Sequence, residues 1–232
     1  MSPRRSDPSA RPTLVDIAAR LLAEEGPQAL SARRIASEVG TSTMALYTHF
    51  NGMRGLVRAM VHEGFTRLQH YFTRVEFSDD PVSDLALLGR AYRCNALANP
   101  HLYAVMFGGS SLAGFSLDEE DRQYGRYTLA GVAECAARCI EAGRFHAQDA
   151  ELVAHQMWSA VHGLVVLELG GYLTEPWDAD RLLEAQLVGL MVGVGDVRES
   201  AAGSVAESAR RLREDLEGLE GLEGLEDHRQ HP

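Results

Sequence analysis

The sequence SARRIASEVGTSTMALYTHF, at residues 31–50, predicts two short helices joined by a glycine turn. Ser31 is a good N-cap for the first helix, and Gly40 can adopt the left-handed conformation that ends it. Thr41 or Ser42, directly after the glycine, can cap the second helix through a side-chain oxygen. The apolar residues on the core-facing side of the first helix are Ile35, Ala36 and Val39. This layout is that of a helix-turn-helix motif.

The second helix is predicted to have one buried side and one side that faces outward. Its buried stripe consists of Ala45, Leu46 and Phe50. The opposite side, which has no predicted packing partner, carries Thr43, Met44, Tyr47 and Thr48. Two amphipathic helices of some larger helical protein would show part of this pattern. The combination of caps, glycine turn and polar outward side favours a DNA-binding surface.

Together with the preceding predicted helix at 13–25 and the ending LYTHF, the motif resembles the DNA-binding domain of the tetracycline-repressor-like (TetR) family. The resemblance implies that the second helix enters the major groove of DNA. The residues implied in base contacts are Thr43, Met44 and Tyr47. The residues implied in contacts to the DNA backbone are Thr41, Ser42, Tyr47 and His49.

One position departs from the family pattern. The family usually has a lysine three residues after the phenylalanine, whereas this chain has Met53 there. Arg54, one residue further on, is the candidate replacement for that phosphate contact. Arg33 and Thr48 complete the predicted DNA-binding set.

Charge is distributed unevenly along the chain, whose formal net charge is -11. Residues 1–75 carry ten Arg and six acidic residues, a net of +4, whereas the remainder carries 12 Arg and 27 acidic residues, a net of -15. DNA should therefore meet the N-terminal part, because the duplex repels the acidic remainder. All 22 basic residues are arginine, which forms bidentate contacts with phosphate and guanine.

The composition is that of a soluble globular protein, with 45% hydrophobic residues. The apolar stretch at 160–173 is interrupted by His162, Glu168 and several glycines, so it falls short of the roughly 18 consecutive apolar residues of a membrane span. The N-terminal MSPRRSDPSARP lacks the apolar core of a secretion signal. We therefore expect a cytoplasmic protein with no membrane partner.

Few residues suggest metal or catalytic chemistry. Cys135 and Cys139 lie four apart on one side of a predicted helix, as two metal ligands or a redox pair would. Further zinc ligands are not nearby, so small residues filling a helix–helix contact are the favoured interpretation. Glu151 and His155 form a helical i, i+4 pair, and two such groups alone do not suffice to propose catalysis. The sequence contains no nucleophile elbow, phosphate-binding glycine loop or HExxH motif, so we predict no catalytic residues, metal or cofactor.

After Phe50 the sequence predicts an all-α fold, because helical spacing recurs without strand-like alternation. Residues 52–75 are predicted to form one long helix. Asp79-Asp80-Pro81 starts the next helix and Asn99-Pro100 ends it. The acidic run at 118–121 starts another helix, favoured by the helix dipole.

The helices predicted at 149–169 and 178–195 lack a continuous polar side. Such helices must be covered all round, which predicts that one side packs on the body and another on a second copy of the chain. Two of these helices from each subunit would form a four-helix interface. The residues predicted to form it are Val153, Met157, Leu164, Leu183, Leu187, Gly189 and Leu190.

A second resemblance concerns AYRCNALANPHLYAVMF and WSAVHGL. They are similar to a subgroup of TetR-like proteins named for a Trp-His-Gly signature, here Trp158, His162 and Gly163. The subgroup implies a regulatory domain with a small-molecule cavity between its helices. The candidate effector-binding residues are Tyr92, Met106, Phe107, Tyr127, Trp158 and His162. Packing in an apolar core is the alternative role for each of them.

The predicted domains are a three-helix DNA-binding domain at 8–68 with its motif at 32–51, a helical effector-binding and dimerisation domain at 76–197, and an acidic tail at 198–232. The tail contains EGLEGLEGLED, in which each glycine disfavours a helix by about 1 kcal/mol relative to alanine. We expect a disordered tail, with docking on a partner as the alternative.

The leading functional hypothesis is a homodimeric transcriptional repressor that binds a palindromic operator in double-stranded DNA. An unidentified small-molecule effector would release it. A DNA-bound architectural protein without an effector would carry the same motif, and an all-α enzyme is the third alternative. Specific stabilisation by a metabolite would distinguish a sensor from an architectural protein.

Overall fold

A computed structural model describes residues 10–107 and 119–215 of the chain. Over these residues it contains ten α-helices, a 3-10 helix at Pro27–Ala29 and no strand, which confirms the predicted all-α fold. The α-helices are α1 (Ala10–Glu25), α2 (Ala32–Val39), α3 (Thr43–Phe50), α4 (Met53–Phe72), α5 (Pro81–Ala98), α6 (Pro100–Met106), α7 (Glu119–Glu141), α8 (Ala150–Leu169), α9 (Ala179–Gly193) and α10 (Arg198–Asp215).

The chain divides into two compact units. The first unit comprises the described residues 10–66, 99–107 and 119–125. Its hydrophobic core is formed by α1, α2, α3, α4 and α6, and the core includes Leu14, Leu21, Ile35, Leu46, Leu56, Met60 and Leu102.

α6 and the beginning of α7 belong to this first unit, whereas the sequence places them in a domain starting at residue 76. Two glycines show how closely these helices pack. A Cβ atom on Gly64 would lie 2.3 Å from Cγ of Met106, and one on Gly125 would lie 2.6 Å from Cζ of Phe65. A side chain at either glycine would force its neighbour to shift. The compact units therefore differ from the predicted domains, which stay a prediction, since helix periodicity does not show which neighbour a helix packs against.

The second unit comprises the described residues 67–98 and 126–215, with α5 at its centre. Every residue of α5 from 81 to 96 is buried, and α8 and α10 both pack against this helix. Arg93 of α5 donates two hydrogen bonds to Glu168, at 2.7 and 2.6 Å, and one to Asp180, at 2.6 Å. Burial lowers the pKa of Arg93, but the two carboxylates outweigh burial and raise it. α5 therefore ties α8 and α9 together through the ion pairs of its buried Arg93.

The structure contradicts the prediction that the chain is disordered from residue 198. α10 spans Arg198–Asp215 and buries a stripe of residues spaced three or four apart. The stripe consists of Ala201, Ser204, Val205, Ser208 and Arg211. Because most of these residues are small or polar, apolar periodicity does not reveal the helix. The EGLEGLEGLED segment lies outside the described residues.

A buried carboxylate anchors α10. Asp84 of α5 is fully buried and accepts hydrogen bonds from Arg211 at 2.7 Å, from Arg138 at 2.8 Å and from the Ser78 hydroxyl at 2.7 Å. Burial alone would raise the pKa of Asp84, but these hydrogen bonds outweigh burial and hold the pKa below its ordinary value. Arg211 also donates to the backbone oxygen of Glu76 at 2.6 Å. α10 is thus held by charge-assisted hydrogen bonds.

Candidate functional site

The helix-turn-helix forms as the sequence predicts. The Ser31 hydroxyl oxygen accepts a hydrogen bond from the backbone N–H of Arg34 at the start of α2, at 3.3 Å. The Ser42 hydroxyl oxygen accepts one from the backbone N–H of Ala45 at the start of α3, also at 3.3 Å. Between the two helices Gly40 has a φ of 73°, the left-handed conformation that a residue with a side chain rarely adopts. These local contacts fix the position of α3.

One side of α3 is exposed, opposite the residues that it buries in the core. Met44 is 68% exposed and Tyr47 is 53% exposed. Thr43 and Thr48 are exposed on the same helix. The Thr48 hydroxyl donates to the backbone oxygen of Met44 at 2.8 Å, so its hydrogen is used within the helix. The structure therefore presents the predicted outward side of α3 to solvent.

Tyr47 rests against the turn that follows α3. Asn51 ends the helix in the left-handed conformation, and Gly52 follows with a φ of 104°. A Cβ atom on Gly52 would lie 3.6 Å from Cε1 of Tyr47. The ring of His49 is 6.0 Å from that of Phe50, and Nε2 of His49 is covered without a hydrogen-bond partner among the described residues. Tyr47 is thus open to solvent, whereas His49 is partly covered.

The two residues between α2 and α3 differ in exposure. Thr41 is half-buried, and its backbone N–H donates to the Ala36 oxygen at 2.9 Å. Ser42 is exposed, and its helix cap uses only the oxygen as an acceptor. The Ser42 hydroxyl hydrogen therefore stays available for a phosphate oxygen.

The arginines of the helix-turn-helix differ in their contacts. Arg33 and Arg54 are exposed. Arg34 donates to Glu25 at 3.0 Å and to Glu38 at 2.9 Å. Arg33 and Arg54 are therefore better placed than Arg34 to bind phosphate groups.

The salt dependence of DNA binding should distinguish these arginines. We expect Arg33→Gln and Arg54→Gln each to lower the slope of log Kd against log salt concentration by about 0.9, because each residue neutralises about one phosphate. Arg34→Gln, next to Arg33, is the control and should change the slope less, since two glutamates bind its guanidinium. Fluorescence anisotropy with a labelled duplex over about 50–200 mM salt measures the slopes. Equal changes of the slope in all three variants would contradict the assignment of phosphate contacts to Arg33 and Arg54.

Three of the predicted effector-binding residues meet in the second unit. Nε1 of Trp158 donates to the Tyr92 hydroxyl oxygen at 3.3 Å, and that oxygen lies 2.9 Å from Nδ1 of His162. Because the Tyr92 oxygen accepts the indole N–H, its own hydrogen can be donated to Nδ1 of a neutral imidazole. Tyr92 is buried, whereas Trp158 and His162 are half-buried. We call Tyr92, Trp158 and His162 the polar cluster.

The other three predicted effector-binding residues are divided between the two units. Met106 and Phe107 belong to the first unit, where the Phe107 ring meets the Phe65 ring edge-on at 5.6 Å. Tyr127 is on α7 in the second unit and is 40% exposed.

The pH dependence of stability should report on His162. Burial lowers the pKa of His162 below its ordinary value of 6.5. The folded chain then binds fewer protons than the unfolded chain as pH falls below that value, so His162 makes the free energy of unfolding decrease toward acid pH. We expect this decrease between about pH 7.5 and pH 5.5 to be smaller in His162→Gln than in the wild type. Urea unfolding at a series of pH values measures the free energy of unfolding. Identical pH profiles for His162→Gln and the wild type would show that His162 does not contribute to the pH dependence.

The structure corrects the predicted dimer face. Five of the seven predicted residues are buried within the single chain, with exposures of 0–4%, and they are Val153, Met157, Leu164, Leu183 and Leu187. Side chains already covered by their own chain cannot form the surface that a second copy meets. Gly189 is exposed and Leu190 is half-buried. The uncovered side of α8 and α9 is therefore the opposite one.

This uncovered side contains an open groove of about 820 Å³ between α8 and α9. Leu152, which lines the groove, is 53% exposed, and Val166 on the same helix is 49% exposed. On α9, a Cβ atom on Gly189 or Gly193 would meet nothing within 4 Å. Polar side chains such as Gln156 and Gln186 also line the groove. Exposed apolar side chains that lie together are typical of a surface that another protein covers.

The cysteines are buried thiols. Cys135 and Cys139 are both 0% exposed, and the Cys135 thiol donates to the backbone oxygen of Pro81 at 3.4 Å. The contact with Cys139 and burial raise the pKa of Cys135, and burial raises the pKa of Cys94 to about 12. Over residues 10–107 and 119–215, no group of three His, Cys, Asp or Glu side chains is placed to hold a metal ion. These features favour a packing role for the cysteines.

α8 is long and apolar enough to span a membrane by length and composition, and 33% of the apolar window is buried within the chain. Its residue Glu168 is held by Arg93. A helix with one side in the core and the other against a second chain has the same length and apolar character.

A capped helix-turn-helix with an exposed face, in the basic part of the chain, is the arrangement of a DNA-binding domain. Residues 14–60 match the family described as bacterial regulatory proteins of the tetR family, and residues 85–190 match the tetracyclin repressor-like C-terminal domain. The chain belongs to the TetR family of transcriptional regulators. Membership of the Trp-His-Gly subgroup stays a prediction.

Known proteins share this architecture. The chain is 25% identical over 185 residues to Rv0681 of Mycobacterium tuberculosis, described as an uncharacterized HTH-type transcriptional regulator, and the match covers 80% of this chain and 81% of the relative. A solved structure from Rhodococcus sp. RHA1, described as a protein with unknown function, has a TM-score of 0.70 and 25% identity, covering 84% of this chain and 100% of the other. The structure of RolR in complex with resorcinol has a TM-score of 0.57 and 16% identity, and the match covers 85% of this chain and 93% of the RolR chain.

Proposed function

We propose that this TetR-family regulator is a cytoplasmic, homodimeric repressor that binds a palindromic operator and is released by a small-molecule effector. The observation that carries the proposal is the exposed side of α3. Met44 and Tyr47 are large side chains that are more than half exposed on a helix fixed by caps at both ends. A rigid helix with exposed side chains suits insertion into the major groove.

On DNA, Thr43, Met44 and Tyr47 would face the bases. The groups proposed to bind the DNA backbone are Thr41, Ser42, Tyr47, His49, Arg33 and Arg54, with Thr48 on the same exposed side. Phosphate contacts set the position of the protein on the duplex, whereas base contacts set its sequence preference.

The second copy of the chain would cover the groove between α8 and α9. Two-fold symmetry brings the same surface from each subunit together, which gives a four-helix interface. Gly189 and Gly193 would let the helices of the two subunits approach closely. The exposed side chains of Leu152 and Val166 would then lose their contact with water. The dimer places two α3 helices to bind two half-sites about one turn of B-DNA apart.

The effector would bind beside the polar cluster. Tyr92, Trp158 and His162 provide hydrogen-bonding groups and aromatic surface within one helical unit, a combination typical of small-molecule sites. RolR, which shares the fold, was solved with resorcinol as a ligand. A domain of this architecture can therefore hold a small molecule.

The test is a pair of calorimetric titrations. A stabilising ligand is first identified by thermal shift of the full-length protein against a metabolite library. Its affinity is then measured with and without operator DNA. Because coupling is reciprocal, operator should weaken ligand binding by the same factor by which ligand weakens operator binding.

Tyr92→Phe should lower the ligand affinity and leave DNA binding unchanged, whereas Tyr172→Phe is a matched control on a residue that is 77% exposed. Equal ligand affinity with and without operator would exclude release by the effector. A protein that no metabolite stabilises would instead support the architectural alternative.

A further inference from the structure

α3 lacks the side chains that form paired hydrogen bonds with base edges. Its sequence, TMALYTHF, contains no Arg, Lys, Asn, Gln, Asp or Glu. Those side chains recognise guanine, adenine and cytosine in the major groove. Because the remaining polar ring, that of His49, is half-buried and its Nε2 is covered, base recognition by the exposed side of α3 must rest on hydroxyl groups and apolar contact.

The hydroxyl groups of this region are partly occupied. The Thr48 hydroxyl donates to the Met44 backbone oxygen at 2.8 Å, and the Ser42 oxygen caps the start of the helix. Tyr47 lies further along the helix, against Gly52. Met44, in the first turn, is the most exposed large apolar side chain of α3 and has no hydrogen-bond donor.

Thymine is the base that offers an apolar group to such a side chain. Its C5-methyl group lies in the major groove, where the first turn of an inserted helix meets base edges. A methionine side chain is flexible and polarizable, so it can pack against a methyl group. Building on the DNA-binding function proposed above, we propose that Met44 recognises thymine methyl groups. The operator half-site then contains thymine at the position that faces the first turn of α3.

The test removes single thymine methyl groups from the operator DNA. An operator is selected from random duplexes with the full-length protein, and each thymine of one half-site is then changed in turn to deoxyuridine. This removes the C5-methyl group and keeps the base pair. We expect the wild type to lose about three- to fivefold in affinity at one or two neighbouring positions, the effect of burying one methyl group. Fluorescence anisotropy at fixed salt measures the affinities.

Two variants assign the effect to a residue. Met44→Ala should bind the thymine and uracil duplexes equally, because the side chain that contacts the methyl group is gone. Arg33→Gln should bind all duplexes more weakly but keep the discrimination, since Arg33 contacts phosphate in the proposed complex.

The outcomes separate this proposal from the function on which it rests. If the wild type discriminates operator from random DNA but binds every uracil duplex as tightly as its parent, methyl recognition is overturned and sequence-specific binding stands. Discrimination that persists in Met44→Ala would overturn the assignment to Met44. If no sequence is enriched at all, sequence-specific DNA binding itself fails.

Discussion

Replacing Gly189 by leucine is expected to raise the dissociation constant of the dimer by roughly a hundredfold or more. In the single chain a Cβ atom at Gly189 meets nothing within 4 Å, so leucine fits there and also favours the helix. In the proposed dimer the partner's helix occupies that space. Overpacking costs about 1–3 kcal/mol at each of the two symmetry-related positions. Sedimentation velocity over a concentration series measures the change.

Gly131→Leu is the matched control for this experiment. Gly131 is an exposed glycine on α7. A Cβ atom there would likewise meet nothing within 4 Å. We expect this variant to dimerise like the wild type. An unchanged dissociation constant for Gly189→Leu would place Gly189 outside the interface. The monomeric variant should also aggregate more readily, because the apolar side of α8 stays exposed.

The second large effect is expected in α10. Arg211→Ala should lower the free energy of unfolding by about 2–3 kcal/mol, somewhat less than the about 3–5 kcal/mol for a buried charge that loses its pair entirely. The reason is that Asp84 is 0% exposed and loses one of two guanidinium partners, while Arg138 remains bound to it. Urea unfolding followed by circular dichroism at fixed protein concentration measures the difference.

The neighbouring arginine provides the control. Arg210 is paired with Glu207 and Glu214 on the surface of α10, where ion pairs contribute little. Arg210→Ala should therefore unfold like the wild type. If Arg211→Ala also unfolds like the wild type, α10 is not anchored through Asp84.

The helix-turn-helix could be predicted from sequence because its signals are local. Ser31 and Ser42 cap the helices from one residue before each begins, and Gly40 forms the turn between them. The core-facing positions of α2 and α3 carry large apolar residues such as Ile35 and Leu46, which make the buried side visible in the pattern.

α10 could not be recognised in this way, because its buried stripe is small and polar and its partners are distant in the chain. Arg211 and Asp84 are 127 residues apart in the sequence, and only the folded chain brings them to 2.7 Å. A stretch rich in Arg, Glu and Ser then looks like a solvated tail.

Five residues of the predicted dimer face are buried in the chain for a related reason. α8 is apolar on two sides, and periodicity does not show which side faces its own core. The packing of α8 against α5 and α9 decides this: Val153, Met157 and Leu164 are buried, whereas Leu152 and Val166 are exposed. The polar cluster depends on the same packing, because Tyr92 and His162 meet only when α5 and α8 are side by side.

If α3 recognises a DNA sequence as part of a symmetric dimer, selection of random DNA duplexes by the full-length protein should enrich a palindrome. Its half-sites should be centred about one turn of B-DNA apart, or a multiple of it. Thr43→Ala and Met44→Ala should change the bases preferred, whereas Tyr47→Phe and His49→Ala should weaken binding to all sequences alike. A recovered sequence pool no different from the starting library would show that α3 does not recognise a DNA sequence.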